Sequence, residues 1–361
     1  MFTLTVLVLS TIGLGGQVLS AQETSGDWGF TSLPLADLWF HGMALVDPVG
    51  PGPLPLYDPG YPPQVRRARE AAGVSSTDLS DRVGYFRRAF QQDEAFQVLH
   101  FLPLYFPQAG RTEVFSALTI LAGTEEGIPG APSARTAFGL VAVASVLTTP
   151  GQRRVLGEFV QALEEEWTAF FRSWNQAGVE ARNLTLRSVQ ASWTREFGPA
   201  LQPFLQSTGM RGGLAAMSPA IGIEGRIFAG SPENQSDNVL VISTPDGPED
   251  AVEAIYSMLR ELSFPIARRA IGRAGGTTGV RSQDESRAGR AAVRAGAFVL
   301  ETLQPQALAG YQQFFLSRAG RPAVPVAEVR AAFEQSYPLE ASLAEALKEE
   351  IKSTRTYGGD G

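Results

Sequence analysis

The stretch Asp250–Ile271 constrains the fold more than any other part of the chain, because its apolar residues recur at helical spacing. The stripe consists of residues three or four positions apart: Val252, Ile255, Leu259, Leu262 and Ile266. Glu249 and Asp250 stand at its start, where acidic side chains complement the positive end of a helix dipole. At about 3.6 residues per turn, Arg260 and Phe264 fall opposite the stripe. We therefore expect a helix that is buried on both sides.

The centre of this helix reads R-E-L-S-F-P from Arg260 to Pro265. In the zinc motif H-E-x-x-H, two imidazoles four residues apart hold the metal and the glutamate activates its bound water. Glu261 matches the glutamate, whereas Arg260 and Phe264 stand at the histidine positions. A guanidinium is a cation and a phenyl ring has no lone pair, so the sequence predicts no metal and no cofactor here. Pro265 removes the amide that would bond to the Glu261 carbonyl, which predicts a kink.

The composition is that of a globular protein, with 44% hydrophobic and 19% charged residues in a chain of 361. The net charge of −7 argues against a general nucleic-acid binder, which needs a basic surface. Because the chain has no cysteine, it can form no disulfide, no thiolate metal site and no cysteine-linked lipid anchor.

The first charged side chain is Glu23, and the residues before it are apolar and then small. This pattern resembles a secretory signal peptide cleaved after Ser20 or Ala21. An uncleaved anchor is the alternative, which the glycines in this segment disfavour. We therefore expect residues 1–21 to be removed, the protein to be exported to the periplasm or beyond the cell, and no stable membrane insertion afterwards.

The first half of the chain is predicted to be mainly helical. Ala36–Asp47 contains aromatic and β-branched residues and predicts a first strand, followed by a proline-rich loop over Pro48–Pro63. The helices that we then expect are Gln64–Ala72, Asp78–Gln91 with a capping cluster before it, Ala95–Phe106, Thr112–Ala122 and Ser133–Leu147.

Two long amphipathic helices follow, Pro150–Gln176 and Val179–Phe204. Both carry aromatic stripes, and we expect an antiparallel pair in which Trp167, Phe170 and Trp174 pack against the second helix. A ligand-binding role for the aromatic stripes is the alternative to core packing.

After Gln206 the pattern becomes rich in β-formers and glycine. It predicts short strands within Gly212–Ile221, Gly225–Gly230 and Asn238–Thr244. Gly272–Gly289 is expected to be a mobile loop, although its arginines could contact an anion. The closing helices are predicted at Arg290–Leu303, Pro305–Arg318, Val326–Ser336 and Leu339–Ser353.

The order of the predicted strand Asn238–Thr244, the R-E-L-S-F-P helix and a later helix resembles that of the zincin metallopeptidases. In those proteins an edge strand borders the substrate cleft beside the H-E-x-x-H helix. The resemblance covers Gly212–Leu303 and implies that Glu261 is the remnant of the catalytic glutamate. In one zincin branch a glutamate on a later helix is the third ligand, and the resemblance gives that position to Glu301, forty residues after Glu261.

The predicted fold class is therefore α+β and predominantly helical, with a small mixed or antiparallel sheet beside a zincin-like central helix. Residues 22–206 and 207–361 are expected to form two regions, with one continuous domain over 30–353 as the alternative.

Few other residues offer catalytic chemistry. The chain has two histidines, His41 and His100, and each stands among apolar neighbours, which favours hydrogen-bonded core groups. The alternative is a rebuilt metal site in which they meet Glu261 or Glu301. The acidic run Glu164–Glu166 is predicted to be solvated, and no nucleophile elbow, phosphate loop or dinucleotide fingerprint is present.

Three hypotheses follow. The first is an exported zincin-like protein that has lost its metal site and binds a partner, for instance a peptide or an envelope protein. The second is an active hydrolase with a rebuilt site. The third is a helical scaffold of the cell envelope.

Overall fold

The computed structural model describes residues 27–47, 50, 55–107, 109–125, 127–128, 130–131, 133–230, 238–276, 281–321 and 324–356. The predicted signal peptide, residues 1–21, lies outside these ranges. Within them the chain is predominantly helical with a small mixed sheet, which confirms the predicted fold class. No helix in these ranges combines the length and the apolar character that a membrane crossing requires.

In the described part of the chain the sheet has four strands. They are β1 (Trp28–Thr31), β2 (Gly213–Ser218), β3 (Arg226–Phe228) and β4 (Val239–Ser243). Their order is β1-β2-β4-β3; the first three run parallel, and β3 lies antiparallel to β4 at the edge. The three strands predicted after Gln206 are present, whereas nothing in the sequence analysis predicts β1.

The predicted strand Ala36–Asp47 is wrong, because this segment belongs to helix α1 (Pro34–Val46). Nearly all of its residues are buried, so the helix has no polar face to produce a helical period. A short apolar run with no period fits a buried strand and a buried helix equally well. Pro34 at the first helical position is the local signal that favours the helix.

The next helices confirm most of the predicted segments. They are α2 (Tyr61–Ala71), α3 (Asp78–Gln92), α4 (Arg111–Gly123) and α5 (Ala134–Val146). Thr77 caps α3, as the serine and threonine cluster predicts. The segment predicted as a helix over Ala95–Phe106 instead forms two 3₁₀ helices, Glu94–His100 and Leu102–Tyr105, since Pro103 interrupts the run.

The two long helices are present, each interrupted by one π-helical turn. The first consists of α6 (Pro150–Glu166), a π turn and α7 (Arg172–Ala177), and the second of α8 (Val179–Ser192), a π turn and α9 (Gly198–Thr208). Their predicted packing against each other is wrong. Trp167, Phe170 and Trp174 belong to one hydrophobic core, whereas Val189 and Trp193 belong to another.

The C-terminal helices are α10 (Ala251–Leu262), α11 (Phe264–Arg273), α12 (Arg281–Leu303), α13 (Pro305–Arg318), α14 (Val329–Ser336) and α15 (Ala341–Thr356). The kink predicted at Pro265 is a break at Ser263 between α10 and α11. The predicted loop Gly272–Gly289 is wrong in its second half, because α12 starts at Arg281. Only the glycine-rich first half of that segment favours a loop, and the later residues are adequate helix formers.

Both faces of the sheet are buried, each by a separate layer of helices. Four strand residues point into what we call the C-terminal core: Ala215, Met217, Leu240 and Ile242. Their alternating neighbours point into the N-terminal core: Ala216, Val239 and Val241. The C-terminal core contains Trp28 and side chains from 189–351. The N-terminal core contains side chains from 35–171, the three strand residues named above and two residues after β2.

The predicted boundary at residue 206 does not coincide with a division between the cores. Helices α8 and α9, which precede it, pack in the C-terminal core, and β2 and β4 contribute to both cores. The two cores therefore meet at the sheet, to which both layers of helices are attached.

Adjacent residues of β4 test the two-sided burial. Ile242→Ala should lower the free energy of unfolding by about 2–5 kcal/mol, and Val241→Ala, on the opposite face, by roughly 2–3 kcal/mol. Val326→Ala should change it by less than about 0.5 kcal/mol, because Val326 is 83% exposed. Urea denaturation measures all three. A negligible effect of either β4 substitution would mean that its face of the sheet is not covered.

Candidate functional site

The helix that the sequence singles out lies against the sheet, with α10 packed along β4. Every residue from Ala254 to Leu262 is buried, which confirms a helix covered on both sides. The break at Ser263 does not separate the two positions of interest. The guanidinium carbon of Arg260 lies 4.7 Å from the centre of the Phe264 ring, so the two side chains are still neighbours.

Arg260 is completely buried in a cluster of four charged side chains. One of its terminal nitrogens donates to the Glu224 carboxylate at 3.1 Å, and the other donates to Glu261. Arg226 lies 3.2 Å from the same Glu224 oxygen. Two guanidinium groups thus face two carboxylates, and the cluster has no net charge.

Glu261 is held by the backbone as well as by Arg260. Its Oε1 accepts a hydrogen bond from the Gly225 amide at 3.0 Å, and only 2% of the residue is exposed. A side chain at Gly225 would place its Cβ 2.5 Å from the Val241 carbonyl oxygen and 2.9 Å from the Glu261 side chain. Glycine at position 225 therefore lets the β3 backbone approach this carboxylate.

The protonation states follow from burial and from these pairs. Burial raises the pKa of Glu261, and the charge of Arg260 opposes that effect. Burial also disfavours the charge on Arg260, but Glu261 and Glu224 outweigh it and raise the pKa of the guanidinium. Arg260 is therefore a permanent cation, which only the neighbouring carboxylates can stabilise in the interior.

Glu301 stands outside this cluster. Its side chain is 42% exposed, and its carboxylate lies 3.2 Å from the Arg330 guanidinium. The structure thus brings Arg260, Glu261 and Phe264 together and places Glu301 at the surface. The edge position implied for the strand before the helix is wrong, because that strand, β4, pairs with β2 on one side and with β3 on the other. The strand at the edge beside it is β3.

His41 lies in a second buried cluster, within the N-terminal core. Its Nδ1 is 3.0 Å from the Tyr61 hydroxyl, and its Nε2 is 3.0 Å from Glu166, which also binds Arg69 at 2.6 Å and Thr77 at 2.5 Å. Burial lowers the pKa of His41; burial raises that of Glu166, but His41 and Arg69 outweigh it and bring the value to about 2. A neutral imidazole therefore donates to Glu166 and accepts from Tyr61.

The prediction that Glu166 is solvated is therefore wrong, although Glu164 and Glu165 are exposed as predicted. Glu166 falls on the buried side of α6 because it lies three and four residues after the buried Leu163 and Ala162. It links α6 to α1 through His41 and to α2 through Arg69.

His100 lies at the centre of a similar row of interacting side chains. Its Nδ1 is 2.7 Å from the Tyr57 hydroxyl, and its Nε2 lies 3.5 Å from Asp47. Burial lowers the pKa of His100; burial raises that of Asp47, but the hydrogen bond from His100 outweighs it and lowers the pKa of the carboxyl. Each histidine thus joins a tyrosine to a carboxylate in the interior, which agrees with the expected core role.

Asp37 is a buried carboxyl close to the ends of two parallel strands. Its Oδ2 accepts a hydrogen bond from Ser32, just after β1, at 2.7 Å, while its Oδ1 has no hydrogen-bond partner among the residues that the structure describes. Burial raises its pKa from 3.8 to about 6, although Ser32, the charge of Arg182 and the hydroxyl of Ser218 lower it in part. This carboxyl therefore changes charge near its raised pKa of about 6.

Sequence reasoning missed most partners in these clusters. Glu166 is 125 residues from His41, and Glu224 is 36 residues from Arg260, so no local spacing connects them. A buried carboxylate that pairs with a single charged residue does not produce a repeating pattern in the sequence, so the pairing cannot be predicted from residue spacing. Among the described residues, no group of three or more histidines and carboxylates is arranged to hold a metal ion.

Comparison with known proteins adds no relative, since no family model, no curated protein and no solved structure matches the chain.

The raised pKa of Asp37 predicts that ionisation of this carboxyl lowers the stability of the folded protein. Because the folded state prefers the protonated carboxyl, stability should fall as pH rises from 3.8 to about 6. Asp37→Asn should therefore stabilise the protein above that range, by up to about 3 kcal/mol near pH 8, and hardly at all near pH 4. Denaturation of both proteins across this range measures the effect. Asp81→Asn, at an exposed position, is the control, and an equal effect of Asp37→Asn at both pH values would contradict the assignment.

Proposed function

We propose that this chain is an exported, zincin-like protein that acts by binding rather than by catalysis. The guanidinium of Arg260 takes the position that the metal would need. The single observation that carries the proposal is the complete burial of this cation between Glu224 and Glu261.

The chemistry of the three motif positions supports this reading. Zinc requires at least three deprotonated nitrogen, oxygen or sulfur ligands at about 2.0–2.3 Å. Arg260 and Phe264 offer none, and a fixed guanidinium repels a dication. Glu261 accepts hydrogen bonds from Arg260 and Gly225, so it is not available to activate a water molecule.

The surroundings of the helix support the zincin-like origin. The resemblance implies an edge strand beside helix α10. The strand Asn238–Thr244 that it named is the central β4, but β3 is an edge strand, and Gly225 just before it donates to Glu261 on α10. An edge strand has free backbone groups that can pair with an extended peptide. A peptide or an envelope protein is thus the class of partner that fits a protein of this origin.

The competing reading is a hydrolase with a rebuilt site. It would need His41 or His100 as a ligand or a base. Both nitrogens of each imidazole face a tyrosine hydroxyl and a carboxylate within the core, so neither ring is free for that role. The binding role therefore fits the chemistry of these residues better than the rebuilt site.

Elemental analysis of two proteins after dialysis tests the proposal. The wild type should carry no stoichiometric zinc and should cleave no casein, and Glu261→Gln should leave that result unchanged. Arg260→His with Phe264→His should gain zinc, because two imidazoles would then face the Glu224 and Glu261 carboxylates in place of the cation. One equivalent of zinc in the wild type, or casein cleavage that Glu261→Gln abolishes, would overturn the proposal.

A third substitution in the double variant identifies the carboxylate ligand. Glu224→Gln should abolish the gained zinc affinity, because Glu224 is 3.1 Å from the group that is replaced. Glu301→Gln is the matched control and should have little effect, since Glu301 pairs with Arg330 at the surface. The reverse result would assign the third ligand to Glu301 and restore the pattern of the zincin branch that the sequence resembles.

A further inference from the structure

The two edges of the sheet differ in how their outward backbone groups are used. At the β1 edge, the side chain of Gln190 accepts a hydrogen bond from the Phe30 amide at 3.0 Å and donates to the Trp28 carbonyl at 3.3 Å. Gln190 thus takes the place that a neighbouring strand would have. Natural proteins often cover an edge strand in this way, because free backbone groups pair with other chains. The β1 edge is therefore closed to a further strand.

The pairing of β4 shows which backbone groups of β3 point outward. The Leu214 amide donates to the Asn238 carbonyl at 2.9 Å, so in the parallel ladder the even-numbered residues of β4 bond to β2. The odd-numbered residues of β4 therefore bond to Arg226 and Phe228 of β3. The N–H and C=O groups of Ile227, which lies between these two residues, consequently point away from the sheet.

Ala229, the residue after β3, extends this open edge. The Gly230 amide is turned back towards the sheet, since it donates to the Asn238 side chain at 2.9 Å. By alternation, the exposed Ala229 directs its backbone groups outward, as Ile227 does. Among the residues that the structure describes, none hydrogen-bonds to these outward groups. The edge also lacks the lysine and proline that often protect such strands, because residues 226–230 read R-I-F-A-G.

A partly exposed aromatic cluster lies at the same edge. Phe228 packs against the N-terminal core, where the centre of its ring is 5.6 Å from the ring centres of both Tyr105 and Phe138. Phe138 on α5 is 55% exposed, and Val141, about one turn further along the helix, is 48% exposed. Large apolar side chains that remain exposed beside an unpaired strand indicate a surface for another polypeptide chain.

This edge is complementary to itself about a two-fold axis at Phe228. When a second β3 lies antiparallel to the first, Ile227 stands opposite Ala229 of the partner subunit, and Ala229 stands opposite Ile227 of the partner subunit. Each of these pairs can exchange both N–H···O bonds, which uses all the outward groups. The two Phe228 rings then face each other, and Arg226 lies opposite a glycine, so no like charges meet.

The position of the axis follows from the groups that are free. An axis at Ile227 would place Ala229 opposite Gly225 of the partner subunit, whose amide already donates to Glu261 at 3.0 Å in each chain. The axis at Phe228 meets no such conflict. A peptide from another protein can bond to the same outward groups, but a second copy also supplies the matching rings of Phe228 and Phe138.

We propose that two copies of this chain pair through β3 into one continuous sheet, with Phe228 and Phe138 of both copies buried beside the axis. A two-fold interface of this kind uses the same surface on each copy and is the most common symmetry of soluble oligomers. The inference goes beyond the proposed binding function and does not depend on it, since the pairing of β3 requires no zincin-like origin. A peptide partner at this edge would have to displace the second copy.

Sedimentation velocity of the purified protein at rising concentration tests whether the pair forms. The wild type should shift from monomer to dimer. Ala229→Pro should raise the dissociation constant of the dimer by about tenfold or more, because it removes one outward N–H from each copy and proline is tolerated at a strand edge. Ala229→Ser keeps this N–H and is the control. A wild type that stays monomeric at its highest soluble concentration would overturn the proposal and leave the edge to a peptide.

Cysteine cross-linking tests the register, because the wild-type chain has no cysteine. Phe228→Cys places two thiols opposite each other at a non-hydrogen-bonded position, where Cα atoms about 4.5 Å apart allow a disulfide. Mild oxidation should therefore give a disulfide-linked dimer on a non-reducing gel. Ala229→Cys, although at a more exposed position, should cross-link at least about tenfold more slowly, because its two copies lie diagonally, about 7–8 Å apart.

Leu184→Cys, at a position on α8 that is 51% exposed, is the control for chance encounters and should cross-link as slowly as Ala229→Cys. Circular dichroism confirms that each variant is folded. No covalent dimer of Phe228→Cys, or equally fast cross-linking of Ala229→Cys or Leu184→Cys, would overturn the pairing of two β3 strands about Phe228.

Discussion

The burial of the sheet on both faces is the constraint on which the rest of this structure depends. The residues of Ala215–Met217 in β2 and of Val239–Ile242 in β4 alternate between the two cores, so the helices on both sides are needed to cover the strands. Helix α10 is one of the helices that bury the sheet, and the face of α10 that points away from the sheet is buried as well. A charged residue in the middle of α10 is therefore forced into the interior, where it must be neutralised by side chains from neighbouring elements.

The Arg260 cluster is the consequence. Glu224 reaches it from the residues just before β3, and Glu261 comes from the helix itself. A buried ion pair of this kind adds little net stability, since desolvation offsets most of the attraction. The ion pair does determine which side chain must neutralise each charge. A guanidinium held in this way occupies the space beside the carboxylates and leaves no position for a metal ion there. Helix α10 thus holds a neutralised guanidinium at the position where the H-E-x-x-H motif has its first histidine.

Sequence reasoning predicted the elements that have a clear period or a clear boundary. The helices around Asp78 and Pro150, the three later strands and the kink at Pro265 follow from apolar spacing, capping and proline. It failed at α1, where an apolar run has no period, and at Arg281, where an arginine- and serine-rich stretch continues as a helix. The absence of imidazoles at positions 260 and 264 is seen directly in the sequence. The partners of Arg260 and of both histidines are not, because burial and long-range contacts decide them.

The central claim is that Arg260 is a required countercharge inside the protein. A double-mutant cycle between Arg260→Met and Glu224→Gln, followed by urea denaturation, tests it most directly. Arg260→Met alone should cost about 3–5 kcal/mol, because it leaves carboxylates buried without their cation. The double variant should cost clearly less than the sum of the single variants. Additive effects, or a loss below about 1 kcal/mol for Arg260→Met, would contradict the account.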